Sequence, residues 1–181
     1  LAPLDEGDVD ELIATRIPAV LREQIARAAG GNPLFIEEML AMAAQSHGDV
    51  VVPPTLHALL AARLDQLEAS ERIVLERGSI EGETFHRGAV QALAPDEAQI
   101  TPRLASLVRK QLIRPEPTLL PGEDGFRFRH LLLREAAYDG LPKAARADLH
   151  QRFAAWLEQH GTDLVELDEI LGYHLEQTCC Y

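Results

Sequence analysis

The chain has 181 residues, of which 46% are hydrophobic and 5% aromatic, and its formal net charge is −12. This length and apolar content suffice to bury a core, so they exclude a disordered chain. The negative charge works against non-specific attraction to DNA or to anionic membranes, because both are polyanions.

Helix-forming residues dominate the composition, and we expect a mainly α protein. Residues 1 to 48 are predicted to form a helical subdomain of three short helices. Helical spacing of apolar residues indicates the first two, over residues 6 to 16 and 19 to 29. Asn32 is expected to cap the third helix, with Pro33 at its first position.

Residues 47 to 53 are extended in character and lead into two prolines, so we place a domain boundary there. A second domain is predicted over residues 53 to 140. Pro54 and Thr55 are expected to begin its first helix, while Ser70 and Thr101 are expected to begin two later ones.

The hydrophobic period changes from helix to strand near the end of this second domain. LIRPEPTLL and FRFRH are predicted to be two short strands around a turn that contains Gly122 and Gly125. Helices followed by a β-hairpin are typical of a winged helix, and this is the fold that we predict for the domain.

Residues 141 to 181 are predicted to begin a helical repeat of the tetratricopeptide type. KAARADLHQRFAAWLEQH is amphipathic, and the stretch after Gly161 is expected to form its antiparallel partner helix. We interpret His150 and His174 as packing residues of this pair.

The adjacent residues Cys179 and Cys180 suit neither an ordinary structural disulfide nor a zinc site. No apolar run approaches the ~20 residues needed to span a bilayer. We therefore expect a cytoplasmic location without membrane contact. Because the chain begins with Leu and ends in an uncapped helix, we expect it to be part of a longer polypeptide.

The sequence contains none of the common catalytic signatures that we sought. A phosphate-binding loop needs Gly-x-x-x-x-Gly-Lys-Ser/Thr, and neither of the two lysines lies in such a loop. The histidines have no metal-ligand spacing. We therefore expect neither a metal site nor enzyme activity from this chain alone.

Four segments, in order and in register, resemble the STAND family of signal-transduction ATPases. They are GNPLFIEEML, VPPTLHALLAARLDQL, FRFRHLLLREAAYDGLP and LHQRFAAWLE, and the resemblance extends from about Leu4 to Gln177. It is strongest to the bacterial branch attached to adenylate/guanylate cyclases and to large transcriptional regulators.

This resemblance implies an architecture and a set of partners. Family members have an ATPase core, then a helical lid, a winged helix and often a tetratricopeptide-like array, and this sequence matches everything after the core. The implied ligand is ATP or ADP held by the full-length protein, with no cofactor expected for the chain alone. The implied partners are the protein's own ATPase core and effector domain, with homo-oligomers possible through the core.

The resemblance implies that residues at two places in the sequence bind nucleotide. The family's Gly-x-Pro motif matches Gly31, Asn32 and Pro33, and it implies that Pro33 lies against the adenine. The winged-helix histidine that senses the ADP phosphate matches His130. Here Leu131 replaces the aspartate that follows the histidine in eukaryotic relatives. Capping of a helix and structural hydrogen bonding are the alternative roles of Asn32 and His130.

A mildly basic block of net charge +2, over residues 96 to 152, suggests a second hypothesis. A winged helix that binds DNA places basic groups on its recognition helix and its wing. Alternatively, these basic residues contact the ATPase core or only solvent. We favour this alternative over nucleic-acid binding, because the net positive charge of the block is small. A third hypothesis is a protein-interaction module that acts through the terminal repeat. The candidate basic residues are Arg103, Arg109, Lys110, Arg127 and Arg129.

Overall fold

A computed structural model describes residues 19–29, 32–45, 52–53, 55–118, 120, 122–161 and 166–180. The chain divides into two compact units, Leu1–Gln66 and Leu67–Tyr181. The described part is mainly helical and contains a small three-stranded antiparallel sheet, so the predicted fold class is confirmed at this level. The helix predicted over residues 6 to 16 lies outside the described residues.

Three helices form the described part of the first unit. Asn32 begins the second helix as predicted, because its Oδ1 accepts hydrogen bonds from the backbone N–H groups of Leu34 and Phe35. Thr55 likewise caps the third helix by accepting from the N–H of Ala58. The helices are α1 (Ala19–Ala29), α2 (Pro33–Gln45) and α3 (Leu56–Asp65).

The three helices bury a common apolar core. Its members lie on all three helices, at the spacing that places them on one face of each. Helix α3 therefore packs within the first unit, whereas the predicted domain boundary assigns it to the second. The fully buried members are Ile25, Ile36, Met39 and Leu59.

The second unit contains the remaining helices and the sheet. In chain order they are α4 (Ala69–Glu81), β1 (Thr84–His86), α5 (Arg87–Leu93), α6 (Ile100–Arg109), β2 (Ile113–Glu116), β3 (Gly125–Phe128), α7 (Leu131–Asp139), α8 (Lys143–His160) and α9 (Leu167–Cys180).

The start of α4 differs from its prediction. Ser70 was expected to cap it, but the N-cap is Glu68, which forms a capping box with Glu71. In that arrangement the N–H of Glu68 donates to Glu71 Oε2 at 3.1 Å. A carboxylate replaces the hydroxyl that the sequence pattern favoured, and the helix begins two residues earlier.

The sheet has the strand order β1-β3-β2, and both pairings are antiparallel. The β2–β3 hairpin was predicted, whereas β1 was not. Strand β1 is only three residues long and pairs Phe85 with Phe126. The buried rings of Phe85 and Phe128 lie 5.2 Å apart, so β1 extends the sheet into the core.

Helices α8 and α9 pack against each other and share the larger core of the second unit. Apolar residues of α4, α5, α7 and α8 meet in this core. Among the described residues, no helix combines the length and the apolar content needed to cross a membrane. The buried members of this core include Ile80, Leu93, Tyr138, Leu149, Phe153, Trp156 and Leu157.

Candidate functional site

The predicted adenine-contacting motif lies at the beginning of α2. Besides capping the helix, Asn32 donates its own N–H to the carbonyl of Ala29 at 2.9 Å, which joins α1 to α2. Asn32 is exposed and Pro33 is half-buried. Gly31, the first residue of the motif, lies outside the described residues.

The predicted phosphate sensor lies at the beginning of α7. His130 is the N-cap residue of that helix, in an extended conformation, and follows β3 by two residues. Its carbonyl accepts from the N–H groups of Leu133 at 3.0 Å and Arg134 at 3.4 Å. The next two residues expose large apolar side chains, Leu131 by 52% and Leu132 by 42%.

Asn32 and Pro33 belong to the first unit and His130 to the second. The two parts of the predicted nucleotide site are therefore described separately, each at the N-terminus of its own helix. Backbone N–H groups in the first turn of a helix lack partners within that helix. In the first turn of α2 these groups are already used, because Pro33 has no N–H and those of Leu34 and Phe35 donate to Asn32 Oδ1. Of the two positions, the beginning of α7 is therefore the one that can offer donors of the kind that bind polar oxygen atoms.

Two of the candidate basic residues on α6 bind carboxylates at the beginning of α4. Arg103 Nη1 lies 2.8 Å from Glu68 Oε2, and Lys110 Nζ lies 2.6 Å from Glu71 Oε2. Ser106, between them on α6, donates to Glu71 Oε1 at 2.6 Å. Burial raises the pKa of Glu71, but the hydrogen bonds from Lys110, Ser106 and Glu68 outweigh it and lower the pKa overall.

The basic residues of the sheet have partners as well. Arg127 donates from Nε and Nη2 to Glu83 Oε1, at 3.1 and 2.8 Å. Arg129 donates to the side-chain oxygen of Gln111. Arg109 is exposed at the end of α6. Three of the five candidate basic residues therefore have a carboxylate partner within the second unit.

A polar cluster that the sequence did not predict surrounds His86. Its Nδ1 lies 2.5 Å from Glu81 Oε1 and its Nε2 lies 2.5 Å from Thr118 Oγ1. Its backbone N–H donates to Glu81 Oε2 at 2.9 Å. Burial lowers the pKa of His86, but the hydrogen bond and charge of Glu81, with the charge of Glu123, raise the pKa overall.

This cluster forms one end of a cavity of about 400 Å³, which we call the His86 cavity. The volume lies within the range that small-molecule pockets usually have. Apart from Thr84 of β1, the rest of its wall is apolar and comes from the segment after β2 and from helices α8 and α9. These residues are Pro117, Leu120, Phe153, Leu157 and Ile170.

No local sequence signal marks the His86 cavity. Glu81 and His86 are five residues apart across a helix end, and Thr118 follows 32 residues after His86. The hydrogen bonds therefore depend on β1 pairing with β3, which is a contact between distant segments. A sequence pattern could not bring these three residues together.

A second unpredicted network is buried between α7, α8 and α9. The Tyr138 hydroxyl lies 2.8 Å from His150 Nε2, and His150 Nδ1 lies 2.7 Å from His174 Nδ1. Both histidines are buried, as their interpretation as packing residues requires. Burial lowers the pKa of each to about 4, with help from Arg134 and Arg146 for His150, and from His150 and Arg134 for His174.

Within the described ranges, no three His, Cys, Asp or Glu side chains are grouped so that they could hold a metal ion. Cys179 and Cys180 are exposed free thiols.

No established protein-family model matches the chain. An uncharacterized protein of Rhizobium meliloti (strain 1021) is 28% identical over 182 aligned positions, which cover 88% of this chain. The chain spans only 17% of the length of that relative. The similarity therefore relates this chain to one segment of a much longer protein.

Proposed function

We propose that this chain is the regulatory part of an ATP- or ADP-switched signal-transduction ATPase of the STAND type. In this proposal, residues 19 to 45 belong to the lid, residues 67 to 140 form a winged helix, and α8–α9 begin a helical-repeat region. The module controls a cyclase or transcriptional output by responding to the nucleotide held in the protein's ATPase core.

The observation that carries this proposal is the order of elements in the second unit. Helix α4, strand β1, helices α5 and α6, and the β2–β3 hairpin follow one another, with sheet order β1-β3-β2. A three-helix unit closed by a hairpin in this order is the arrangement expected of a winged helix. The fold agrees with the architecture that the family resemblance implies.

The position of His130 is the second support. A histidine at the N-cap of α7 can donate to a phosphate oxygen, and the first-turn N–H groups of the helix favour an anion nearby. The exposed Leu131 and Leu132 beside it offer an apolar surface for the ATPase core. In the proposed switch, contact with ADP holds the module closed and exchange for ATP releases it.

The DNA-binding alternative has less support. In a winged helix α6 would be the recognition helix, yet its Arg103 and Lys110 bind Glu68 and Glu71 of α4. Such pairs reduce the positive field that would attract phosphates. The protein-interaction alternative rests on α9, where Tyr173 and Leu175 are each 49% exposed.

The test measures ADP affinity in a polypeptide that joins this chain to its proposed ATPase core. We expect His130→Ala to weaken ADP binding about tenfold, because a hydrogen bond to a charged phosphate is lost. Pro33→Ala should weaken it a few-fold through lost contact with the adenine. A fluorescent ADP analogue in equilibrium titrations gives both values.

The matched control is His57→Ala, which removes an exposed histidine from α3 of the first unit. It should leave ADP affinity unchanged. If the His130 and Pro33 variants both bind ADP as tightly as the wild type, the nucleotide-sensing role is wrong.

A further inference from the structure

Helix α9 has an outer surface that is partly apolar and strongly acidic. Leu175 is 49% exposed, and Leu171, one turn before it, is half-buried. After Arg152 the sequence contains no Lys or Arg, whereas it contains six Asp or Glu residues. No basic side chain of this segment can therefore neutralise the exposed carboxylates of α9.

Gly172 lies at the centre of this surface. Residues three or four positions apart along a helix are neighbours on its surface. For Gly172 these neighbours are exposed, and they are Asp168, Glu169, Leu175 and Glu176. We call Gly172 and these four residues the Gly172 surface.

No contact within the described part of the chain requires a glycine at position 172. A Cβ there would meet no described atom within 4 Å, and the residue lies inside a helix. Glycine in a helix interior lowers stability relative to alanine. The missing side chain does allow a second backbone to approach closely, and this is a use that offsets the loss.

We propose that the Gly172 surface docks a basic amphipathic helix of a partner protein. The backbone of the partner approaches α9 at Gly172, and its apolar residues cover Leu175. Its Lys or Arg side chains bind Asp168, Glu169 and Glu176. The docking does not depend on the proposed nucleotide switch.

Charge decides between the possible occupants of the Gly172 surface. A second copy of the chain, in an isologous contact, would bring the same carboxylates against one another, which is unfavourable. Nucleic acids and anionic membranes are polyanions, so the carboxylates repel them as well. A helix with basic flanks instead has the complementary charge, which favours its association and fixes its orientation.

The probe is a synthetic peptide of about 18 residues, designed as a helix with leucine and alanine along one face and lysine on both flanks. We expect saturable binding to the chain in a fluorescence-anisotropy titration of the fluorescein-labelled peptide. Raising NaCl from about 0.05 M to about 0.5 M should weaken binding about tenfold, because salt screens the ion pairs. Two control peptides should bind about tenfold more weakly: one with glutamate in place of lysine, and a scrambled lysine peptide without an apolar face.

Two variants of α9 assign the binding to this surface. Gly172→Gln should raise the melting temperature, because a better helix former replaces glycine, and yet weaken peptide binding about fivefold by preventing the close approach. Leu175→Ser should weaken binding about fivefold, because apolar contact is lost. A purely structural role of Gly172 would not change stability and binding in opposite directions.

A pair of variants with equal charge tests the role of the carboxylates. Glu169→Gln with Glu176→Gln should weaken peptide binding about tenfold and reduce its salt dependence. Asp96→Asn with Glu135→Gln removes the same charge at exposed positions outside α9. This control should leave the affinity unchanged to within about twofold.

The proposal is overturned if the lysine peptide does not bind, or if the scrambled peptide binds as tightly. It is also overturned if folded Gly172→Gln and the α9 charge variant both bind the peptide as the wild type does. Analytical ultracentrifugation tests the remaining occupant. A dimer of the chain that Leu175→Ser dissociates would assign the surface to a second copy and overturn the proposed partner.

Discussion

At the scale of single residues, the ion pair between Arg63 and Glu38 is buried within the first unit. Their side chains are only 3% and 4% exposed, and the pair joins α3 to α2 beside the apolar core. Desolvating two charges is costly, and their attraction offsets that cost only while both are present.

We predict that Arg63→Met alone destabilises the chain by about 3–5 kcal/mol, because it leaves the Glu38 carboxylate buried without its counter-charge. The double variant Arg63→Met with Glu38→Leu should recover most of that loss. Denaturant unfolding followed by circular dichroism measures both. Arg27→Met, at an exposed position on α1, is the control, and equal stability of all four proteins would contradict the prediction.

The buried histidine pair makes stability depend on pH. When both imidazole rings are neutral, both hydrogen bonds can form: Tyr138 O–H donates to His150 Nε2, and His150 Nδ1–H donates to His174 Nδ1. The folded histidines take up protons only near their pKa of about 4, while the unfolded ones do so near 6.5. The unfolded state therefore binds more protons between these values.

It follows that the free energy of unfolding is fully retained above pH 6.5 and falls as the pH drops towards about 4. His174→Gln should reduce this pH slope, since one of the two buried histidines is removed. Urea unfolding at several pH values measures the slope. His57→Gln is the exposed control, and an unchanged slope in His174→Gln would show that the pair does not cause it.

At the scale of elements, the pairing of β2 with β3 requires a glycine at position 125, the first residue of β3. A Cβ at position 125 would lie 2.5 Å from the carbonyl oxygen of Glu116, on the paired strand. We predict that Gly125→Ala destabilises the chain by about 1–3 kcal/mol, because the strands must separate locally. Thermal unfolding followed by circular dichroism measures it.

Gly172 on α9 supplies a matched control for that substitution. A Cβ there would meet no atom within 4 Å. Because glycine in a helix interior has excess backbone entropy when unfolded, Gly172→Ala should stabilise the chain by about 0.5–1 kcal/mol. Opposite signs for the two variants are expected, and a neutral Gly125→Ala would rule out the steric argument.

The elements that could be predicted from the sequence are those fixed by neighbouring residues. The caps at Asn32 and Thr55 are local, since each side chain bonds to N–H groups two or three residues ahead. Strand β1 could not be predicted, because three residues are too few to show alternation and their partners near Phe126 are distant.

The polar clusters were beyond prediction for the same reason. His150 was expected only to pack, because nothing in the sequence indicates that Tyr138 and His174 approach it. The spacing of His86 to the other histidines indicates no shared site, and its partner Thr118 lies 32 residues further along the chain. Chain topology, which a local pattern does not determine, brings these groups together.

At the scale of the whole molecule, charge argues against the DNA-binding hypothesis. The chain carries 17 basic and 29 acidic groups, and Arg103, Lys110 and Arg127 already bind carboxylates. We predict no measurable binding of duplex DNA at low salt in a fluorescence-anisotropy titration. Tight binding that weakens steeply with added salt would instead establish the DNA-binding hypothesis.

The buried Arg63–Glu38 pair also constrains how this sequence can change over generations. A single substitution at either position leaves one buried charge without its partner. A protein that carries only one of the two changes is therefore less stable, and selection acts against it. Positions 38 and 63 should therefore covary among homologues, as an acid with a base or as two apolar residues. An alignment in which these two positions vary independently would contradict this expectation.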